Sequence, residues 1–435
     1  MTNNCSRSNR ALLIVLLAGF ALVLTETATV FGAASVTQKT SAGAKGKSVT
    51  ANDFPGQDLG AKINAADRAL GTGAGEIVVK GGGVIATQVI ISSDHVLRVM
   101  PGTYATKTAN IPILLKPRSA IVGSGWDNSI ILESTAAGQF TVISAYNHSI
   151  ENGSADSGLT IRDLQIKGAN PGFNSAPQAI SLGNCSGCLV DKVWINATRS
   201  IGVQLGGSSR KGNFAANSQI TNCLFTRVAS QNLALVNGKN IVLEGNRFLT
   251  AGQAGGPGST NIDLEVNEDT DHLENIIIRN NLIDVRKSEL PTTGNGIVAQ
   301  STSGTPFVGP IVIEKNTIIG GETQGTITNV LSNGIYIFGS TMRDVTIRDN
   351  IIRRTGQSGI RVEGTRLVVS NNQLFDVGGG GIHGFVVMAT NSQITGNTFT
   401  YSGAGPVDGT IEVLPGSARN VLQNNRGWSI SGVIR

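Results

Sequence analysis

One asparagine recurs along this chain in a constant local setting, and it limits the fold more than any other feature. The segments SQITNCLF, VLEGNRF, IIRNNLI, VIEKNTI, TIRDNII, VVSNNQLF, QITGNTF and VLQNNRG align on Asn222, Asn246, Asn281, Asn316, Asn350, Asn372, Asn397 and Asn425. Successive asparagines lie 22 to 35 residues apart. Two earlier segments, TIRDLQI and LVDKVWI, keep the frame but put Leu164 and Val193 in its place. After a loop, each repeat carries a second motif: QAISLGN, IGVQLGG, NLALVNG, NIDLEVN, NGIVAQS, NGIYIFGS, SGIRVEGT or GTIEVLPG. These alternate with period two, the pattern of half-buried strands. A repeat this short, containing only β segments, predicts a solenoid of stacked coils. Helical repeats would need 3.6-residue periodicity, and a propeller blade would need four strands in ~40 residues. Asparagine tolerates the left-handed backbone of a tight bend, and its amide both donates and accepts. Stacked copies therefore predict a hydrogen-bonded ladder.

The composition agrees with a turn-rich all-β chain. Glycine numbers 56, and charged residues are 14% against a usual ~25%. The net charge of +5 is dispersed, and aromatics are only 5%. Nucleic-acid binding would need a basic stripe with stacking rings, so it is excluded as a partner. At the N-terminus, Arg7 and Arg10 precede an apolar run from Ala11 to Leu24, and Gly32-Ala33-Ala34 follows. A charged start, a short apolar core and small residues predict an export signal over residues 1–34. The run is shorter than the ~20 residues of a membrane helix, so no span remains after cleavage. The expected product is secreted or periplasmic, with a flexible linker at 35–51 and one domain over 52–435. Export permits disulfides. Cys185 and Cys188 form a C-x-x-C, read as a local disulfide or two buried thiols. Cys223 stands alone, and Cys5 lies in the signal.

The stretch NDFPGQDLGAKINAADRALG, then GEIVVKGG, then VLRVMPGTYATKTANIPILLKPRSAIVGSGWDNSIILES precedes the repeats. Together with them it resembles the pectin-lyase-like superfamily, which includes pectate lyases, polygalacturonases, tailspikes and epimerases. The resemblance runs from about Asn52 to Gly427. It implies an all-β, right-handed parallel β-helix of about ten to twelve coils. It also implies three strands per coil, an asparagine turn between the second and third, and an active site on the first. Asp58 to Leu70 reads as an amphipathic helix capping the open N-terminal end, where unpaired backbone would otherwise be exposed.

Aligning the first strands on their aliphatic pairs turns Ile262 and Leu264, Ile297 and Ala299, Ile335 and Ile337, and Ile360 and Val362 inward. The residues between them face out, in two columns with ~4.8 Å between neighbours. The middle of this face carries chemistry. Asp263 and Glu265 are two apart on one strand, so their carboxylates are roughly 6.5 to 7 Å apart by strand rise. Gln300, Tyr336, Phe338, Arg361 and Glu363 follow on later coils, and His272 sits in a neighbouring loop. Two carboxylates with aromatic and charged neighbours suit a sugar-binding cleft. The coils from Asn246 to Asn350 are also the longest, and their extra residues border these strands: AGQAGGPGST, NEDTDHLEN, RKSELPTTGN, STSGTPFVGP and GGETQGTITNVLS. Long loops on a rigid scaffold are where binding surfaces are usually built.

The expected function is cleavage of an extracellular polysaccharide by glycoside hydrolysis. A carboxylate pair ~6.5 to 9.5 Å apart suits inversion at the sugar, one residue as acid and one as base. No cofactor is required for that chemistry. The alternative is a calcium-dependent lyase or epimerase, since pectate lyases of the resembling superfamily use calcium. Asp269 and Asp271 are the candidate Ca²⁺ ligands for it, as hard oxygen donors. Arg361 lies three coils from Asp263, roughly 14 Å by strand spacing, which tilts the reading to hydrolysis. A third alternative is a non-catalytic glycan-binding adhesion protein. His95, His148 and His383 have no partner apparent in the sequence and read as structural.

Overall fold

The computed structural model describes residues 46–108, 110–133, 141–149, 155–168, 178–249, 260–286, 292–301, 308–321, 323–324, 327–379, 382–403 and 407–432. The expected export signal, most of the linker, and residues 251–259, 287–291 and 302–307 of the long loops lie outside them. Short parallel strands stack coil upon coil, and their inward side chains meet in one continuous core. The aliphatic pairs aligned from sequence, from Ile262 and Leu264 to Ile360 and Val362, are all buried in it. Thirteen strands succeed one another in the sheet that forms one face, from Val89–Ile91 to Ser429–Gly432. The second and third strands of each coil make up the other, larger sheet.

Three corners turn each coil, and each is marked by left-handed backbone. At the corner before the second strand stand Asn217, Asn240 and Asn275, with φ near +50°. Their amides bond in a row, each Nδ2 donating to the Oδ1 below at 2.8 Å. The ion pairs Asp94–Arg118 and Asp344–Arg366 occupy the same corner elsewhere.

The corner between the second and third strands carries the expected ladder, with a shift of roles. Its left-handed residue is the one before the repeating asparagine: Gly245, Asn280, Lys315, Asp349, Asn371, Gly396 or Asn424. The repeating asparagine turns inward instead. Asn281 donates from its backbone N and Nδ2 to Asn316 Oδ1, both at 3.0 Å, and from Nδ2 to the Leu243 carbonyl at 2.9 Å. Its own Oδ1 accepts from Asn246. The pattern runs unbroken from Asn246 to Asn425. Asn222 does not belong to it. Asn222 has φ +54° and is the left-handed residue of its coil. Its Nδ2 donates to Asp191, and Cys223 takes the inward place, its N–H donating to Asn246 Oδ1 at 3.0 Å. The column therefore reads Leu164, Val193, Cys223 and then seven asparagines. Burial pushes the Cys223 thiol up to about 12. Cys185 and Cys188 are joined as a disulfide inside the core.

A helix, Leu59–Leu70, covers the N-terminal end as expected. The Asp58 carboxylate accepts from Gly60 N and Thr87 N and from the Thr87 hydroxyl, tying the helix start to the first coil. A side chain at Gly60 would put its Cβ 2.1 Å from the Thr87 carbonyl, so the approach needs glycine. Ile63 and Ala66 of the helix are buried against the core. The expected linker is too long at its C-terminal end. Lys47–Thr50 is a strand paired with Gly75–Val79, so the β-structure begins before residue 52.

One coil escaped the sequence alignment. Phe385–Thr390 forms a full rung between Ile360–Thr365 and Thr410–Val413. The strand reads as continuously apolar, and the glycine run Gly378–Gly381 before it masks its frame.

Candidate functional site

The outward column that matters is a chain of direct register partners. Gln204 pairs with Ala234, Ala234 with Asp263, Asp263 with Val298, Val298 with Tyr336 and Tyr336 with Arg361. Val386 comes next and Glu412 after it. The second column passes from Glu265 to Gln300 to Phe338, and Glu363 pairs with Met388. Asp263, Glu265, Gln300, Tyr336, Phe338, Arg361 and Glu363 thus share one face. Three register steps separate Asp263 from Arg361.

Asp263 is outward by alternation yet only 5% exposed. Gln231, from the preceding coil, reaches over and donates from Nε2 to Asp263 Oδ2 at 3.3 Å. Ser230 holds Gln231 in turn, donating to its Oε1 at 2.6 Å. Asp263 Oδ1 is buried with no hydrogen-bond partner among the described residues. Burial, together with the nearby Glu265 charge, pushes the Asp263 carboxyl up to about 7. Burial also raises Glu265. A carboxyl that stays protonated near neutrality is a proton donor, and its two-residue neighbour is the natural acceptor.

Tyr336 and Phe338 lean on each other, with ring centroids 4.7 Å apart at 27°. The Arg361 guanidinium sits 5.2 Å from the Tyr336 centroid. The result is an apolar ledge beside the carboxylates with one cation at its margin.

The neighbouring loop is built differently from the calcium expectation. Asp271 is fully buried and acts as a loop staple. Its oxygens accept from Ser209 N, Asn267 N and Glu268 N at 2.9 to 3.2 Å. Asp269 pairs with Arg210 at 2.9 Å, and Glu268 accepts from Ser208 and Arg210. Asp269 and Asp271 point to different partners and do not converge, so this donor set does not fit a calcium ion. Among the described residues no group of three or more His, Cys, Asp or Glu is arranged as metal ligands. His272 packs its ring on Phe214, with centroids 5.1 Å apart, in this wall beside the face.

The remaining histidines do have partners. His95 is bonded to Asp67 at 2.7 Å in the core, a structural role. His148 contacts Asn213 Oδ1 at 3.3 Å. His383 lies 2.7 Å from Asp408 and 3.9 Å from Glu412, at the far end of the face. A coil-length spacing of 25 residues links His383 to Asp408 and was a usable signal. Gln231 had none, because it stands outside the alternating frame.

Known proteins agree with this architecture. The family model described as "right handed beta helix region" matches residues 149–341 and 333–433. The chain belongs to the right-handed β-helix family. Among solved structures, DFA-IIIase from Arthrobacter chlorophenolicus A6, without its lid and in complex with GF2, is similar with a TM-score of 0.59 at 13% identity. It covers 87% of this chain and 94% of that one. A hyperthermoactive exopolygalacturonase from Thermotoga maritima has a TM-score of 0.56 at 12% identity, over 82% and 90%. The Dettilon tailspike protein has 0.54 at 13%, over 88% and 68%. At these identities the likeness is one of fold. No curated protein matches the sequence. No helix among the described residues is long and apolar enough to cross a membrane.

Proposed function

We propose that this β-helix is a secreted or periplasmic enzyme that cleaves a polysaccharide by glycoside hydrolysis. The observation that carries the reading is Asp263: a buried carboxyl with one oxygen unpartnered among the described residues and a pKa of about 7, beside Glu265. Asp263 is the general acid and protonates the glycosidic oxygen as the C–O bond breaks. Glu265 is the general base and takes a proton from the water that attacks the anomeric carbon. The strand rise of roughly 6.5 to 7 Å between them leaves room for that water, the arrangement of inverting hydrolases. Tyr336 and Phe338 offer a ledge for a sugar ring, and Gln300, Arg361 and Glu363 offer polar contacts along the same face. Gln231 is a positioning residue that leaves Asp263 Oδ1 as the proton-bearing oxygen. The structural neighbours named for glycan chemistry are consistent with such a role for the scaffold.

The test is a polysaccharide panel assayed for new reducing ends and for the ultraviolet absorbance of unsaturated products, with and without EDTA. An Asp263→Asn/Glu265→Gln variant runs beside it. Reducing ends without absorbance, lost in the variant, are expected. Absorbance that EDTA abolishes would make the protein a metal-dependent lyase. Binding without any product, unchanged in the variant, would make it an adhesin.

A further inference from the structure

The chain as a whole is basic, at +5, but the proposed cleft is acidic. From the strand Gln178–Leu182 to Thr410–Val413, the two outward columns carry Asp263, Glu265, Glu363 and Glu412. Asp263 keeps its proton up to about pH 7, and against the three other carboxylates stands a single base, Arg361, which already lies against the Tyr336 ring. Asp408 adds a further carboxylate at the upstream margin, beside His383. The arginines at the upstream corner, Arg199, Arg227 and Arg354, are all engaged within the chain. Arg199 is held by the buried Glu133 at 2.7 Å. On the downstream wall Arg210 is held by Asp269, and Lys211 beside it is likewise engaged within the chain. The segments 250–259 and 302–307 contain no charged residue, and 287–291 adds one lysine and one glutamate.

Among the described residues neither Glu265 nor Glu363 has a hydrogen-bond or ion-pair partner. Both lie on the same face as the Tyr336–Phe338 ledge. A carboxylate is an acceptor only, so these groups call for donors: hydroxyl or ammonium hydrogens of a sugar. An acidic sugar would bring its own carboxylate into a face with one base to receive it, and close like charges repel.

We infer that the cleft takes a glycan free of acidic groups, recognised through its hydroxyl or ammonium donors, and that it rejects uronans. This rests on the glycan-cleaving reading above, and it parts this chain from the neighbour named as a polygalacturonase.

The experiment measures affinity of the wild-type protein, at low and high salt, for three kinds of probe. They are neutral β-glucan and arabinoxylan, partly deacetylated chitin, and two uronans, polygalacturonate and alginate. An acid-free probe should bind, and uronans should bind at least about fivefold more weakly at low salt, with the gap narrowing as salt screens the face. The neutral and amino-sugar arms identify which donor is used. Glu363→Lys should shrink the gap for uronans, and Glu363→Gln should do so less. Preferred binding of a uronan, weakening with salt, overturns the inference and leaves the hydrolase reading standing. A Glu363→Lys variant with an unchanged gap also overturns it, because face charge is then not the selector. No binding to any probe overturns the inference together with the reading beneath it.

Discussion

Asp263→Asn should make the protein more stable while destroying its activity, and the gain should appear only as pH rises. In the unfolded chain this carboxyl ionises near its ordinary value of 3.8, whereas in the folded protein burial and Glu265 hold it at about 7. That interval of about 3 units corresponds to about 4 kcal/mol, at 1.36 kcal/mol per unit. The folded-state pKa is raised, so the folded protein holds its proton longer than the unfolded chain does. The stability this contributes is complete below 3.8 and is lost as pH climbs through about 7. Asparagine carries no charge and can still accept from Gln231 Nε2. The variant should therefore gain on the wild type by about 1.4 kcal/mol per pH unit across this interval. The gain should level off at about 4 kcal/mol above it. Urea unfolding across the interval and one unit beyond measures it, with turnover assayed in parallel. A stability difference that does not change with pH would show that Asp263 ionises normally, and the assignment of a proton donor would fall with it.

Other perturbations probe the scaffold and the ledge. Asn316→Ala removes the acceptor for Asn281 N and Nδ2 and the donor to the Ile278 carbonyl, all buried. At ~1 to 3 kcal/mol per stranded group it should cost about 3 to 9 kcal/mol in denaturant unfolding. Asn425→Ala, at the half-exposed end of the same row, should cost only about 1 kcal/mol because water can replace the lost bonds. Equal losses would mean that burial of the ladder is not what makes it matter. Tyr336→Ala and Phe338→Ala should each raise KM about two- to tenfold with little change in kcat, the range expected for one ring contact. A fall in kcat alone would place these rings away from the sugar. EDTA treatment should leave turnover unchanged, since Asp269 and Asp271 are engaged within the chain.

Much of this molecule is legible in its sequence because a solenoid is close to one-dimensional. Each strand's partner is the equivalent strand one repeat later, so aligning repeats is nearly the same act as pairing strands. That is why the column through Asp263, Tyr336 and Arg361 could be written down from period-two alternation. It is also why the N-terminal helix and the asparagine row were expected at the right places. The alignment failed where the local pattern was ambiguous. Asn222-Cys223 offered an asparagine one residue early, and only the stacked backbone shows that Cys223 points inward while Asn222 takes the left-handed corner. The strand Phe385–Thr390 was hidden because a wholly apolar run has no readable alternation.

What the sequence could not decide is what each polar side chain meets across coils. Asp269 and Asp271 looked like a ligand set by proximity along the chain, but backbone N–H groups of their own loop and Ser209, and the Arg210 side chain, claim them. Asp263 looked solvated by alternation, but Gln231 from the coil below covers it. Burial of a charge depends on everything packed within a few ångströms, and those neighbours come from residues 30 and more positions away. Repeat periodicity determined where the backbone runs. Only the tertiary structure determined which carboxylate keeps its proton.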